Sequence, residues 1–382
     1  MTDRSFDTGP IRPPSEANSL LLQVTQGCTW NKCRFCVVYR GQGFRMLQPE
    51  HIRRNIDNMA YFRDLIYSCA DSDGRVDREK LIPHLEEMNA RERQCFYIIY
   101  NWVGHGARNV FLQDGNSVAL KPEKLADVLF YLREKFPSVE RVTTYGRAST
   151  LARYTTAQLK LLRESGLNRV HTGFESGSDQ VLAMINKGLT QEQQIEAGRK
   201  TVEAGIELSV YFMPGIGGRR YSQENADETA YVVNQIRPDF VRLRTFILKL
   251  ESEMYEMKRR GEFEECTDLE KLGEIRRLIA GIDAPETRIV SDHIVNLIGT
   301  LSGRIGTDKE AMLAQADEVL NLPVTEQRIY QNFRRHGLVD NYLQMKTQVS
   351  PQQFEHMRQY AEGFESDEDW EDYMNEILRQ YV

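Results

Sequence analysis

The chain has 382 residues, 41% hydrophobic and 27% charged, with a formal net charge of −7. That length exceeds the usual single domain and predicts a large globular domain with a smaller appendage. The negative balance argues against a broad electrostatic footprint for nucleic acid, no apolar run approaches a membrane span, and Met1-Thr2-Asp3-Arg4 lacks the apolar core of a signal peptide.

The first β-rich run, 20–25, leads into Cys28-Thr29-Trp30-Asn31-Lys32-Cys33-Arg34-Phe35-Cys36. Thiolates so spaced ligate soft metals, above all zinc and iron–sulfur clusters. A closed site needs four ligands. Only three are local, because Cys69, Cys95 and Cys266 are scattered singly. Three thiolates on a four-iron cubane leave one iron open to bind something else, by the logic that gives catalytic zinc its open position. On the cysteines alone, a zinc knuckle completed by Cys69 or His51 remains an alternative. Clustered thiols without an export signal predict a reducing, cytoplasmic setting.

The chain from 48 to 108 is far longer than the dozen or so residues a minimal crossover needs. It predicts a helical insertion at about 50–106, broken near Asp71-Ser72-Asp73-Gly74-Arg75. Further β-rich runs follow at 109–113, 139–145, 168–174, 207–213 and 240–248, with helical patterns between them. Pro122 opens one helix at its first turn; Thr190 with Gln193 makes a capping box for another, which Gly205 closes. Strand–helix alternation predicts an α/β fold with a parallel sheet and right-handed crossovers. Six such units fit a partial (β/α)6 barrel or an open doubly wound sheet.

In a barrel, the loops after the strands share one mouth. Those loops carry the three cysteines, Asp114-Gly115-Asn116, Gly146-Arg147, Glu175-Ser176-Gly177-Ser178 and Pro214-Gly215-Ile216-Gly217-Gly218. His171, in the fourth strand where it would face the barrel interior with Arg169, reads as a core histidine, and Arg219-Arg220 as a solvated pair. Asp292-His293 with Asn296, after Arg288-Ile289-Val290, offers a seventh wall segment. Residues 1–250 thus read as the barrel and 251–382 as a mainly helical extension. Thr267 with Glu270 caps a helix there, and Trp370, Tyr373, Ile377 and Tyr381 share one face of a last helix.

The cysteine loop, with Phe35 before the third cysteine, resembles that of the radical S-adenosylmethionine enzymes, with four residues in the first gap where three are usual. The stretch from Gly173-Phe174-Glu175-Ser176-Gly177 to Asn186-Lys187-Gly188-Leu189-Thr190 resembles their oxygen-independent coproporphyrinogen oxidase-like, methylthiotransferase and Elongator-catalytic-subunit branches. The resemblance selects the partial barrel. It implies a [4Fe–4S] cluster on Cys28, Cys33 and Cys36 whose free iron chelates the methionine moiety of S-adenosylmethionine. It places Asp114, Gly115 and Asn116 at the strand end that binds the amino group, and Glu175 at a ribose-binding position. Met213 and Gly215 fall in the motif that flanks adenine. Arg147 is a candidate clamp for the carboxylate, which guanidinium binds bidentately, or else one half of an ordinary ion pair.

The implied activity is reductive cleavage to a 5′-deoxyadenosyl radical acting on a small-molecule substrate, with a flavodoxin- or ferredoxin-like donor and no nucleic acid or membrane partner. Aminocarboxypropyl transfer from the same cofactor, or a non-catalytic iron–sulfur or zinc protein, are the alternatives. The resemblance names neither the substrate nor any catalytic residue beyond the cofactor site.

Overall fold

A computed structural model describes residues 3–381. Ten strands form: β1 (Leu20–Gln23), β2 (Thr25–Gln26), β3 (Arg45–Met46), β4 (Asn109–Gln113), β5 (Arg141–Tyr145), β6 (Leu167–Glu175), β7 (Glu207–Phe212), β8 (Phe240–Leu243), β9 (Arg288–Val290) and β10 (Gly303–Arg304). The chain divides into two compact units.

The first unit takes the chain through Thr29, then Gly41–His171 and Glu203–Glu207. Its strand order is β1-β4-β5-β6, all parallel, with Leu20 opposite Val110, Val110 opposite Val142 and Thr144 opposite Val170. The expected insertion is three helices, Pro49–Ser68, Arg78–Glu87 and Ala90–Gly104. Asn89 caps the third through a full capping box, and its Cys95, Phe96, Ile99 and Trp102 are buried. The predicted first strand breaks at Val24, whose amide turns to Gln113 O. Thr25–Gln26 then pair antiparallel with β3, and the cysteine loop leaves from this short ladder.

A buried histidine–carboxylate contact lies on the first unit's sheet. His171 on β6 and Glu16 from the turn Pro14–Glu16 are both fully buried, with His171 Nε2 3.6 Å from Glu16 Oε1. Ser19 donates to the same carboxylate at 2.6 Å, and Arg141 stands 3.5 Å away. Burial raises the Glu16 pKa, but these donors outweigh it and hold the group below its ordinary value. His171 is therefore a core histidine facing Glu16, as its place mid-strand predicts.

The second unit comprises Trp30–Arg40, Thr172–Val202 and the chain from Leu208 onward. The order there is β6-β7-β8-β9-β10. β9 runs parallel to β8 as a seventh β/α-type strand, and β10 closes antiparallel against β9. The segment 240–248 is strand only to Leu243. Arg244 N still reaches Phe212 O, but Phe246 N turns to Pro214 O. Phe246 and Leu248 then pack with Val181, Ile185, Ile216, Met254, Met257 and Phe263 instead of continuing the sheet.

Beyond β8 the chain is mainly helical, as expected. Thr267 and Glu270 form the predicted capping box on the helix Asp268–Gly281. In the last helix, Asp367–Arg379, the buried face is Trp370, Met374, Ile377 and Leu378. That corrects the expected stripe: Tyr381 is exposed, and Met374 and Leu378 replace the tyrosines. The helix packs on Val324–Arg335, where Trp370 Nε1 donates to Gln331 Oε1 at 2.9 Å.

Candidate cofactor site

The three loop cysteines are half-buried, whereas Cys69, Cys95 and Cys266 are buried. Desolvation pushes the Cys95 thiol up and that of Cys266 to about 12, so neither is disposed to act as a thiolate. His51 pairs with Asp7 at 3.1 Å. Among the described residues, no three His, Cys, Asp or Glu side chains gather around a single point as one metal ion requires. A cubane differs, because it takes each thiolate on a separate iron and so spreads its ligands apart. Three partly accessible thiols, set by one loop and accompanied by cations, suit that group.

In the first unit, Arg147 Nη1 stands 4.0 Å from Cys28 Sγ. Asn116 is fully buried and joins three loops. Its Nδ2 donates to Thr29 Oγ1 and to Thr150 Oγ1, both at 2.9 Å, and its Oδ1 accepts from Arg147 N at 2.9 Å. Asp114 is buried too, with its carboxylate accepting Gly27 N–H at 3.2 Å and its own amide donating to Thr25 Oγ1. The side chains of Asp114 and Asn116 therefore hold the start of the cysteine loop. Gly115, between them, is the partly exposed member of the trio.

In the second unit, the rest of the cysteine loop is fastened to the segment after the helix Asp179–Met184. Trp30 Nε1 donates to Asn186 O at 2.7 Å, Arg34 N to Ile185 O and Arg34 Nη1 to Met184 O at 2.9 Å, and Asn186 Nδ2 to Lys32 O at 2.9 Å. Gly188 has φ +69°, and a Cβ there would lie 2.4 Å from the Trp30 ring. The motif 186–188 thus forms the seat of the cysteine loop.

Glu175 ends β6 at φ +64°, an unusual setting for a non-glycine residue. Its carbonyl accepts Met213 N–H at 2.8 Å, and its Oε1 pairs with Lys187 Nζ at 2.7 Å, both side chains 9% exposed. A Cβ at Gly173 would sit 2.1 Å from Glu175 Oε1, so glycine makes room for this pair. The Lys187 ammonium also lies 5.7 Å from the centre of the Phe35 ring, beside Cys36. Lys187 and Trp30 are the residues that sequence reasoning quoted without giving a role.

Met213 O accepts Asn225 Nδ2 at 3.3 Å. Gly215 N–H donates to Glu274 Oε1 at 3.1 Å, and Gly215 O accepts from Gly218 N. Met213 is partly exposed and Gly215 is buried, and the backbone groups named here are already engaged. Burial pushes the Glu274 carboxyl up to about 7 from its ordinary 4.5, against hydrogen bonds from Ser222, Gly215 and Asn225. An acid whose folded pKa is raised holds its proton preferentially in the folded state, so stability falls as pH rises from about 4.5 through about 7. In thermal unfolding across that window, Glu274→Gln should flatten this fall; an unchanged slope would mean that Glu274 is ionised throughout.

Arg219 and Arg220 are exposed, as the solvated reading expects, and Arg219 also pairs at the surface with Glu264 and Glu270. Asp292 pairs with Arg242 and Arg244, and Asn296 Oδ1 accepts from Thr245 Oγ1 at 2.8 Å, so the segment after β9 is built into the second unit.

No helix among the described residues is long and apolar enough to cross a membrane. A family model, the Radical SAM superfamily, matches residues 22–229. The chain is similar to the tRNA uridine(34) acetyltransferase of Methanocaldococcus infernus, 26% identical over 107 residues, which are 28% of this chain and 20% of that protein. It is also similar to the tRNA-2-methylthio-N(6)-dimethylallyladenosine synthase of Syntrophus aciditrophicus, 32% identical over 151 residues, 35% of this chain and 30% of that protein. The matches span about a fifth to three tenths of these curated relatives. Among solved structures, the archaeal Methanocaldococcus infernus Elp3 with an N-terminal deletion aligns at 19% identity and TM-score 0.40, over 56% of this chain and 51% of that one. The family match covers more than half of the chain, from β1 past the loop cysteines, Glu175 and Gly215. The chain belongs to the radical SAM superfamily, and is an enzyme whose cofactors are a [4Fe–4S] cluster and S-adenosylmethionine.

Proposed function

We propose that Cys28, Cys33 and Cys36 hold the cluster and that the enzyme cleaves S-adenosylmethionine reductively to act on a small-molecule substrate. The observation that carries this is the cysteine loop itself: its thiols are half-buried and its flanks are fixed by Asp114 and Asn116 at one end and by 184–188 at the other. Bound to Cys28, Cys33 and Cys36, the cluster would supply the one electron that cleaves S-adenosylmethionine to methionine and a 5′-deoxyadenosyl radical.

The chain's own residues bind and orient. In this reading the Gly115 backbone meets the methionine amino group, while Asp114 and Asn116 position the loop. Arg147 is the proposed clamp for the carboxylate, because a guanidinium binds carboxylate bidentately. Glu175 keeps one oxygen on Lys187 and offers the other to ribose hydroxyls. Met213 supplies apolar surface for adenine, and the backbone from Met213 to Gly215 flanks it. Residues 1–250 carry this chemistry, and 251–382 support it. Radical SAM enzymes generally need an electron donor; a flavodoxin- or ferredoxin-like protein is the proposed source.

A second reading comes from the curated relatives, whose names both specify tRNA. The net charge of −7 favours the small molecule, since nucleic-acid affinity rests on phosphate neutralisation. Anaerobic, strongly reduced enzyme with S-adenosylmethionine should release 5′-deoxyadenosine and methionine slowly. Added substrate should speed this by excluding water and aligning the hydrogen donor. Methylthioadenosine as the main product would favour aminocarboxypropyl transfer, and acceleration by bulk tRNA would favour the tRNA reading. Absence of both nucleosides would refute the proposal.

A further inference from the structure

The chain ahead of β1 is pinned at two places in the first unit. Phe6 is buried, its N–H donating to Cys95 Sγ at 3.3 Å and its carbonyl accepting from the same thiol at 3.4 Å. Asn58 Nδ2 donates to Ser5 O at 2.9 Å, and the Asp7 carboxylate meets His51 and Arg91. His51 and Asn58 belong to the helix Pro49–Ser68, Arg91 and Cys95 to the helix Ala90–Gly104. Residues 5–7 are thus anchored on the helical insertion.

Two residues further on, the chain is anchored again, at the C-terminal end of β4. Gln113 Oε1 accepts Gly9 N–H at 2.8 Å, and Gln113 Nε2 donates to Gly9 O at 3.1 Å and to Ile11 O at 2.8 Å. Gln113 is 1% exposed, and a buried amide must find partners for its oxygen and its hydrogens. Here all of them are backbone groups of one short strap, 9–11. Pro10, Pro13 and Pro14 leave this stretch few other conformations.

The clamp bears on the site through Asp114. A Cβ at Gly9 would lie 3.1 Å from Asp114 Cγ and 3.3 Å from Gln113 Cβ, so the strap rests directly on this pair. Asp114 accepts Gly27 N–H, one residue before Cys28, and Gln113 O accepts Val24 N–H at the base of the same loop. Gly115 follows in the chain. Groups that meet a ligand are oriented by the hydrogen bonds of the residues around them. Gln113 is placed to do this for the strand end.

We propose that Gln113 is a positioning residue of the cofactor site. Its clamp on the strap 9–11 ties the insertion helices to the strand end at Asp114 and Gly115, so that strap order and S-adenosylmethionine binding favour each other. This rests on the reading of Gly115 as the contact for the methionine amino group. Coupling between two sites is reciprocal. If the clamped strap helps the cofactor to bind, the bound cofactor helps to hold the strap.

The test uses full-length, anaerobically reconstituted enzyme and follows amide hydrogen exchange with and without saturating S-adenosylmethionine. In wild type, the amides of 5–11 should exchange about 5- to 10-fold more slowly with the cofactor bound. Gln113→Met should remove that effect and weaken cofactor affinity, measured by calorimetry, about 10-fold, the low end of the loss when an orienting partner is removed. A clamp with a structural role alone would lower the unfolding midpoint in Gln113→Met and leave its cofactor affinity at the wild-type value. That result overturns the proposal, as does wild-type strap exchange that the cofactor leaves unchanged. Should Gln113→Met not fold, Gly9→Ala decides in its place, because its methyl group presses on Asp114 while Gln113 stays; wild-type affinity there overturns the proposal equally. 5′-Deoxyadenosine release by the wild-type preparation reports separately. Cofactor-slowed exchange without nucleoside release would refute the radical reading and leave the role of Gln113 standing, whereas nucleoside release with unchanged exchange would refute Gln113 alone.

Discussion

Replacing Cys28, Cys33 or Cys36 with alanine should remove the iron from anaerobically reconstituted protein and abolish nucleoside release, whereas Cys69, Cys95 and Cys266 should each be replaceable. The two groups differ physically. The loop thiols are half-buried on a segment held at both ends, while the other three are closed in by apolar packing or helix ends. Losing one of three ligands removes a corner of the cluster, for which no nearby thiol can substitute. Replacing Cys95 or Cys266 by serine or alanine should cost local packing and, at Cys95, its hydrogen bonds with the Phe6 backbone, on the order of 1–2 kcal/mol. Iron content, the visible absorption of the cluster and the unfolding midpoint separate these outcomes. Full iron retention in a Cys33→Ala protein would remove that residue from the ligand set.

Lys187→Ala should damage both stability and cofactor binding, and the two effects can be separated. Removing the ammonium leaves the Glu175 carboxylate buried without that partner, a change that typically costs about 3–5 kcal/mol. The double variant Glu175→Gln with Lys187→Met removes both charges and should recover most of the stability, since a buried pair contributes little beyond an apolar replacement. It should not recover S-adenosylmethionine binding, because it has lost the proposed carboxylate acceptor for the ribose. Affinity measured by isothermal calorimetry and stability by denaturant unfolding should therefore diverge in the double variant. Normal cofactor affinity there would reduce the pair to a structural role.

Much of this was legible in the sequence, and the exceptions have physical causes. β4 and β7 were readable because short apolar runs were bounded by clear turn residues. The capping boxes at Thr190 and Thr267 form as their spacing predicts, since such signals are local. The sixth strand was read too long, because Phe246 and Leu248 continue the apolar pattern of Phe240–Leu243 while serving a different core. Trp30 could not be assigned from sequence. Its partner Asn186 lies 156 residues along the chain, and only folding brings the two together. Asp114 and Asn116 were singled out correctly as residues of the strand end, yet their hydrogen bonds show that they set loops. A carboxylate and an amide look the same in sequence whether they meet a ligand or a backbone amide.

The most direct measurement is the paramagnetic resonance spectrum of the reduced, reconstituted enzyme with and without S-adenosylmethionine. Three thiolates with an open iron predict about one four-iron cluster per chain. The spectrum of that cluster should shift when the cofactor is added, and the shift should be lost in Cys28→Ala. Stoichiometric tetrahedral zinc with no iron uptake, or a cluster spectrum unmoved by saturating S-adenosylmethionine, would contradict the account.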